Sequence, residues 1–453
     1  MLVPPFNRVR AVGTAAFARR TVMVALVVCA AGVPLLPMNE MKVTGTLLAG
    51  CVLLIGALLS LRSGTPAGRS DLDAPAIAFL ALAVASTVFG VNPRMSLVPT
   101  AIRGEGLLDY LVYLPMALAA ARLGYREIRE LLTVLLGAAA LIGAAGVAQY
   151  YGVDATRWIG SRGLDYGFYS WGTLANPDFL GGYASLVLPI GVAMAATAAD
   201  RRSWWGYAGA STLLYAALLG SQTRSAWAAC VPAAVVLLRF LPRPAGARRR
   251  LALLGLAFAA VTVLMMLTQP RVSFTGRAAS ALNPADTAMQ QRRWIWAHTV
   301  PMIAERPVLG WGFSSVQGHL PGIGTPGYYR VFGHGSVLID VAHNDLLQVS
   351  VNMGLAGLAA YIWIWATAVR ALHGAARTAT SPVRPEATGI LAGFAAYFVW
   401  LQFLWSHIGD TNVFWVLAGL AVAAGRAAQS PGEGVMLVAA NIDRPTGHGG
   451  TEG

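Results

Sequence analysis

Hydrophobic residues occur along this chain in long runs that alternate with polar segments. A run of about 20 apolar residues crosses the roughly 30 Å hydrocarbon core of a bilayer as a helix. The pattern therefore predicts an all-α integral membrane protein with about twelve transmembrane helices. The predicted spans are residues 21–37, 43–61, 74–90, 107–121, 131–151, 179–198, 204–220, 225–241, 251–268, 344–369, 387–406 and 411–425.

The polar segments divide the chain into five parts. Residues 1–20 precede the first span, residues 21–268 hold the first nine predicted helices, and residues 343–428 hold the last three. Residues 269–342 form a long extracytoplasmic loop between these groups, and a shorter outer loop covers about residues 152–177. Residues 429–453 are rich in Gly, Pro and polar residues, so we predict a disordered cytoplasmic tail.

Arginine positions predict the orientation, because cationic loop residues resist translocation across the membrane. Four arginines precede the first span, which places the N-terminus in the cytoplasm. Crossing the membrane at each span then puts the remaining loop clusters on the same side and the C-terminus in the cytoplasm as well. The arginines in question are Arg8, Arg10, Arg19, Arg20, Arg62, Arg69, Arg122, Arg126, Arg129, Arg201, Arg202, Arg239, Arg243, Arg248, Arg249, Arg250, Arg370, Arg377 and Arg384.

Composition supports this class. Of the 453 residues 56% are hydrophobic and 12% are charged, and the mean hydropathy is +0.58, which excludes a soluble globular surface. The net charge of +13 is a topology signal with anionic lipid headgroups as partners rather than a nucleic-acid signal. Cys29, Cys51 and Cys230 lie within predicted spans, so we expect buried free thiols.

The long outer loop contains an amphipathic stretch at residues 287–304. The apolar residues that share one helical face there are Met289, Trp296, Val300 and Ile303, with Arg292 and Arg293 flanking them. A helix of this kind lies on a membrane surface with its tryptophans at headgroup depth.

Six short polar or glycine-rich segments occur in order between about residues 90 and 370. They are Arg-Gly-Glu-Gly at 103–106, Gly-Thr-Leu-Ala-Asn-Pro-Asp-Phe-Leu at 172–180, Ser-Gln-Thr-Arg-Ser-Ala at 221–226, Arg-Arg-Trp-Ile-Trp at 292–296, Pro-Val-Leu-Gly-Trp-Gly at 307–312, and His-Asn at 343–344 followed by Gly354 and Gly357. The order, spacing and predicted topology of these segments resemble those of the O-antigen ligase and O-antigen polymerase superfamily of lipid-linked polysaccharide glycosyltransferases. Asp178 departs from that pattern, which usually has Asn.

The resemblance implies a glycan transfer from a polyprenyl (undecaprenyl) diphosphate, with His343 as the catalytic base. An imidazole accepts the proton of an acceptor hydroxyl as that hydroxyl attacks the anomeric carbon, and the configuration inverts. Arginines stabilise the leaving diphosphate without a metal, because guanidinium groups stay charged and donate paired hydrogen bonds. The diphosphate-binding candidates are Arg224, Arg292, Arg293 and Arg103.

Each assignment has a structural alternative. Arg224 lies in a short extracytoplasmic turn, where the positive-inside tendency disfavours it, and it binds either diphosphate or lipid phosphate by snorkelling. The family register favours Arg292 over Arg293, although the helical wheel does not separate them. Arg103 beside Glu105 is either a substrate contact or half of a local ion pair.

The other candidates support the site rather than react. Asn344 orients substrate or caps the following helix, and Asp345 orients the imidazole. Asn176 directs a polar group toward the site or starts a helix. No metal-ligand spacing occurs on the outer side, and the Asp-Leu-Asp at 71–73 falls in the cytoplasm, so no cofactor is expected. His298, His319, His334 and His407 lack matching motifs, with His407 the one to reconsider first.

These observations predict an enzyme in the bacterial cytoplasmic (inner) membrane with its active site on the outer face. Its partners are a lipid-linked glycan donor, a lipid or glycan acceptor and membrane lipids, with no nucleic acid. The preferred activity is that of an O-antigen ligase, and a polymerase of the same superfamily is the first alternative. A flippase, which predicts interrupted helices and repeats, and a peptidoglycan polymerase using Asp286 are further alternatives.

Overall fold

The computed structural model describes residues 5–62, 68–98, 106–154, 156, 167, 169–268, 273–280, 283, 285–334 and 339–429, with side chains from residue 15 onward. These residues form helices and connecting turns, with no β-strand among them. The helices are α1 (Pro5–Val27), a π-helical stretch (Val28–Gly32), α2 (Val33–Leu35), α3 (Asn39–Arg62), α4 (Asp73–Phe89), α5 (Pro93–Leu97), α6 (Leu107–Ala120), α7 (Tyr125–Tyr150), α8 (Pro177–Ala196), α9 (Arg201–Ser221), α10 (Arg224–Phe240), α11 (Ala247–Leu267), α12 (Phe274–Ala279), α13 (Thr287–Glu305), α14 (Val316–His319), α15 (Pro326–Phe332), α16 (Asp345–Arg377), α17 (Arg384–Leu401) and α18 (Ile408–Gln429).

Every predicted span overlaps a helix, and the all-α class is confirmed for the described part of the chain. The predicted span 387–406 is too long, because its helix ends at Leu401 and residues 402–406 are not helical. Among the described residues, seven helices are long and apolar enough to cross a membrane, which supports a multi-pass membrane protein. They are Ala15–Leu35, Asn39–Arg62, Tyr125–Tyr150, Pro177–Ala196, Ala247–Leu267, Asp345–Arg377 and Ile408–Gln429, and the shorter apolar helices are Asp73–Phe89 and Leu107–Ala120. Twelve spans, their orientation and the five-part division stay predictions.

The centre of the bundle is formed by α8 and α18, whose apolar windows are almost completely buried. Helix α8 packs against α17, α9 and α10, and α18 packs against α16 and α6. The α8–α17 contact is close because of small residues: a Cβ on Gly393 would lie 2.2 Å from the carbonyl oxygen of Leu186. By contrast, α3 and α11 expose most of their apolar surface.

Ion pairs join helices at the end of the bundle that the arginine pattern predicts to be cytoplasmic. Arg122 Nη2 lies 2.9 Å from both carboxylate oxygens of Asp73. Arg19 pairs with Glu127, and Arg129 lies 3.6 Å from the buried Glu386. Asp73, the second acid of the Asp-Leu-Asp motif, therefore ties α4 to the end of α6.

Helix α16 is interrupted near its start, and a turn from the preceding segment fills the interruption. Gly354 has φ 68° and ψ −174°. The backbone of residues 307–312 docks there through three hydrogen bonds: Leu355 N to Pro307 O at 2.7 Å, Trp311 N to Val351 O at 2.7 Å, and Gly312 N to Asn352 O at 3.0 Å.

The segment between α11 and α16 has a small core of its own. Its buried residues are Ile295, Met302, Val316, Leu320, Tyr328, Ile339 and Val351. The face of α13 that is buried in protein carries Ile295, Thr299 and Met302, whereas Val300 of the predicted apolar face is 54% exposed and Ile303 packs against the small core. Contact of the predicted apolar face with a membrane surface stays a prediction. Trp294 packs on Tyr328 and Phe332 of α15, so these two residues cover part of this tryptophan.

Candidate active site

Arg224, the first residue of α10, forms a bidentate ion pair with Asp286, the residue that precedes α13. Its Nη1 and Nη2 donate to Asp286 Oδ2 and Oδ1, each at 2.8 Å, and Nη1 also donates to Ser280 Oγ at 2.8 Å. The preceding turn brings this arginine into place, because Gln222 closes α9 in the left-handed region with φ 55°. The arginine side chain is 17% exposed. Its guanidinium therefore contacts the segment between α11 and α13.

Two further arginines lie in the electrostatic environment of this pair. Arg277 Nε donates to the carbonyl oxygen of Gln222 at 3.1 Å. Arg292 interacts with the charges of Asp178, Arg224, Asp286 and Arg277, and burial is the main cause that lowers its pKa. Three guanidinium groups and two carboxylates thus form one cluster, which we call the arginine cluster: Asp178, Arg224, Arg277, Asp286 and Arg292.

The structure separates the two neighbouring arginines of α13. Arg292 is partly buried, and its Nε donates to the carbonyl oxygen of Phe403 at 2.9 Å. Arg293 is exposed. The helix turns one of them toward the bundle and the other away from it, which the helical wheel of α13 alone did not decide.

His343 lies just before α16 in an unusual backbone conformation, with φ 50°. Its imidazole meets the indole of Trp405 edge-on, with ring centroids 4.9 Å apart. Asn344 caps α16 by accepting from Leu347 N at 3.1 Å, and its Nδ2 donates to the carbonyl oxygen of Gln402 at 3.1 Å. The His-Asn pair is therefore held against the segment that follows α17.

This segment, residues 402–407, is the part of the site that sequence reasoning missed. It contacts Asn344 through Gln402, Arg292 through Phe403 and His343 through Trp405. We call it the 402–407 connector. The available signal was its aromatic composition, Gln-Phe-Leu-Trp-Ser-His, between two apolar helices, but only His407 was singled out.

Residues 208–362 match the family model for O-antigen ligase. This segment carries the O-antigen ligase family domain. The match confirms the superfamily predicted from the motifs, and its range includes Arg224, Arg292 and His343. No curated protein matches the sequence.

Within the O-antigen ligase domain, Asp345 holds the beginning of α16. Its carboxylate accepts from Tyr361 Oη at 2.8 Å and from Ser406 N at 3.1 Å. Through Ser406 it fastens α16 to the 402–407 connector. Orientation of the imidazole by Asp345 stays a prediction.

Two candidates lie N-terminal to the O-antigen ligase domain, at the start of α8. Asn176 caps this helix by accepting from Asp178 N at 2.8 Å. Asp178, which replaces the usual Asn, accepts from Thr223 Oγ1 at 3.0 Å. Its charge therefore lies close to Arg224 and Arg292, so the departure from the family pattern adds negative charge to the arginine cluster. Arg103 and Glu105 lie outside the described residues.

The other histidines have ordinary packing contacts. His298 stacks on Trp294 at 3.8 Å and His334 on Tyr329 at 4.9 Å. His407 is buried and stacks on Phe179 at 3.7 Å, while Phe179 also meets Trp405 edge-on at 5.5 Å. His407 thus belongs to the aromatic support beneath the indole that contacts His343.

The ion pair between Arg224 and Asp286 changes the titration of the aspartate. Hydrogen bonding from the Arg224 guanidinium is the main reason that the pKa of the Asp286 carboxyl lies below its usual range. In the described ranges, no group of three or more His, Cys, Asp and Glu residues is arranged to hold a metal ion. The arginines of the cluster supply guanidinium donors that suit an anionic group, and the imidazole of His343 is a group that accepts a proton.

Proposed function

We propose that this protein transfers a glycan from a polyprenyl diphosphate to an acceptor hydroxyl or amine at the outer face of the bacterial inner membrane. The favoured reaction is that of an O-antigen ligase, with a lipid core or a similar molecule as acceptor. The observation that carries the proposal is the 402–407 connector, which contacts both Arg292 and the His343-Asn344 pair.

Arg224 and Arg292 are the diphosphate-binding residues in this proposal. Arg224 offers two parallel N–H donors in the geometry that a phosphate accepts. Arg292 adds a second positive charge that burial makes less screened by water. Together they stabilise the charge that develops on the leaving diphosphate as the glycosidic bond breaks.

His343 is the general base. It accepts the proton of the acceptor as the acceptor oxygen bonds to the anomeric carbon and the bond to the diphosphate breaks on the opposite side. The products are the inverted glycoside and polyprenyl diphosphate. Because Trp405 meets the imidazole edge-on and Asn344 is held by Gln402, the ring is positioned before substrate arrives.

A polymerase of the same superfamily uses the same donor chemistry and differs only in its acceptor. A flippase is the candidate from another class, and one observation favours it, since α16 is interrupted at Gly354. The backbone groups freed there are bonded to residues 307–312, so they are already occupied by the protein. The interruption of α16 therefore gives the flippase little support.

The test is transfer in membranes that contain polyprenyl-diphosphate glycan and candidate acceptors, with products resolved by mass. We expect His343→Ala and Arg224→Ala to lose transfer, and wild-type activity to survive EDTA. Arg330→Ala is the matched control, because Arg330 is exposed on α15, and it should transfer like the wild type.

Product mass separates ligase from polymerase. Full activity of His343→Ala would remove the base assignment, and activity lost in EDTA and restored by added divalent cations would refute the metal-free mechanism. Lipid binding without transfer to any acceptor would favour the flippase.

A further inference from the structure

Asp286 accepts from the two guanidinium nitrogens of Arg224 that are proposed to bind the donor diphosphate. Its two oxygens each accept from one terminal nitrogen of Arg224 at 2.8 Å. A phosphate group binds guanidinium in the same side-by-side geometry. The carboxylate and the diphosphate therefore cannot bind these two donors at the same time.

The same aspartate begins the helix that carries Arg292. Asp286 Oδ1 accepts from Met289 N at 3.1 Å and caps α13. A ligand that displaces the carboxylate from Arg224 thus acts on the first turn of α13. The aspartate is 15% exposed, so solvent and an incoming anion reach it.

We propose that Asp286 is a positioning residue that competes with the donor diphosphate for Arg224 and thereby sets donor affinity and product release. The inference rests on the proposed function, since it takes Arg224 as the diphosphate-binding residue. In the free protein the carboxylate accepts hydrogen bonds from both terminal nitrogens of the guanidinium. Donor binding exchanges it for a diphosphate, and its return after transfer helps to expel polyprenyl diphosphate.

The charge balance of the arginine cluster gives the direction of the effect. With Asp286 in place, three guanidinium groups face two carboxylates. Without its charge, three face one, so an anion meets a more positive site. A merely structural aspartate predicts the opposite, because an unsupported Arg224 is less well ordered and binds the diphosphate more weakly.

The cap allows a clean substitution. Asn and Ser cap helices about as well as Asp does, so both Asp286→Asn and Asp286→Ser retain a capping oxygen for Met289 N and remove the charge. Asp286→Asn keeps the size of the side chain, whereas Asp286→Ser also removes the second oxygen that contacts Arg224. The measurement is binding of undecaprenyl diphosphate to the full chain in detergent. We expect both variants to bind roughly two- to fivefold more tightly than the wild type, as the loss of a partly exposed competing ion pair implies.

Turnover should respond in the other direction. Slower release of polyprenyl diphosphate predicts a lower kcat and stronger product inhibition in both variants. Ser280→Ala removes a neutral contact to the same guanidinium and is the matched control, with binding expected within twofold of the wild type. Undecaprenyl monophosphate and inorganic diphosphate, tested separately, distinguish recognition of the lipid-linked head group from recognition of any phosphate.

Weaker or unchanged binding in both charge-removing variants overturns the inference. Arg224→Ala keeps this outcome separate from the failure of the proposed function. If Arg224→Ala binds undecaprenyl diphosphate as well as the wild type does, the donor-site assignment itself is wrong. If Arg224→Ala loses binding while the Asp286 variants do not gain it, the donor site stands and the competition does not.

Discussion

Replacing Gly354 by alanine tests the docking of the 307–312 turn on α16. The backbone of Gly354, at φ 68° and ψ −174°, lies in a region that essentially only glycine adopts. An alanine Cβ there would lie 2.2 Å from the carbonyl oxygen of Val308 and 2.7 Å from the amide nitrogen of Leu309. The turn and the added methyl group therefore cannot both keep their positions.

Two effects of Gly354→Ala lower the free energy of unfolding. The backbone conformation costs a non-glycine residue about 1–3 kcal/mol. Moving the turn away breaks three backbone hydrogen bonds between it and α16, at about 0.5–1.5 kcal/mol each, or about 1.5–4.5 kcal/mol together. The expected loss of unfolding free energy is about 2.5–7.5 kcal/mol, a large share of the stability of a typical domain.

The assay is thermal unfolding of the purified protein in detergent, followed by transfer activity at a temperature where the variant is folded. Gly374→Ala is the control, because Gly374 lies in the same helix with nothing within 4 Å of the position that a Cβ would take. It should be neutral or slightly stabilising. We expect Gly354→Ala to unfold at a clearly lower temperature and to lose activity. Equal unfolding temperatures for both variants would falsify the docking of this turn.

The remaining predictions concern the site. Trp405→Leu should lower kcat about 10- to 100-fold with little change in donor KM, because a misplaced His343 slows proton transfer without weakening binding. An equal rise in KM would contradict that role. Arg292→Ala should weaken donor binding about tenfold or more, as the loss of a charge-assisted contact implies, whereas the exposed Arg293→Ala should stay within about twofold; reversed results would exchange the assignments. The depressed pKa of Asp286 means that its ion pair persists above the ordinary carboxyl pKa of about 4 and is lost as the pH falls through its lower folded value. The affinity gain of Asp286→Asn should therefore be constant from pH 8 to 5 and shrink below about pH 4, measured by lipid binding across that range; a gain that already vanishes at pH 6 would refute a depressed pKa.

Local features of the sequence were the ones that could be predicted. Each apolar run became a helix because a long apolar segment in a bilayer must satisfy its backbone within itself. Asn344 and Asn176 cap α16 and α8 because capping involves only neighbouring residues. The family could be predicted from short motifs, because their order along the chain can be recognised without knowledge of tertiary contacts.

Features that depend on distant neighbours were missed. The contact of Trp294 with α15 was not predicted, because a helical wheel contains no information about a second helix. Asp286 was considered only as a catalytic acid, since nothing in the sequence places it beside Arg224, a residue of another helix. The 402–407 connector went unnoticed because its contacts are with residues more than fifty positions away.

The sequence by itself determined the class of this protein, its apolar helices and the residue types available for chemistry, because hydropathy, capping and motif order act within a few residues. Only the tertiary structure decided which arginine of α13 faces the bundle, which acid forms an ion pair with Arg224 and which residue packs against the imidazole of His343. Those outcomes depend on packing between helices that are distant in the chain, and the physical reason is that side-chain direction, burial and charge pairing are properties of neighbours in space.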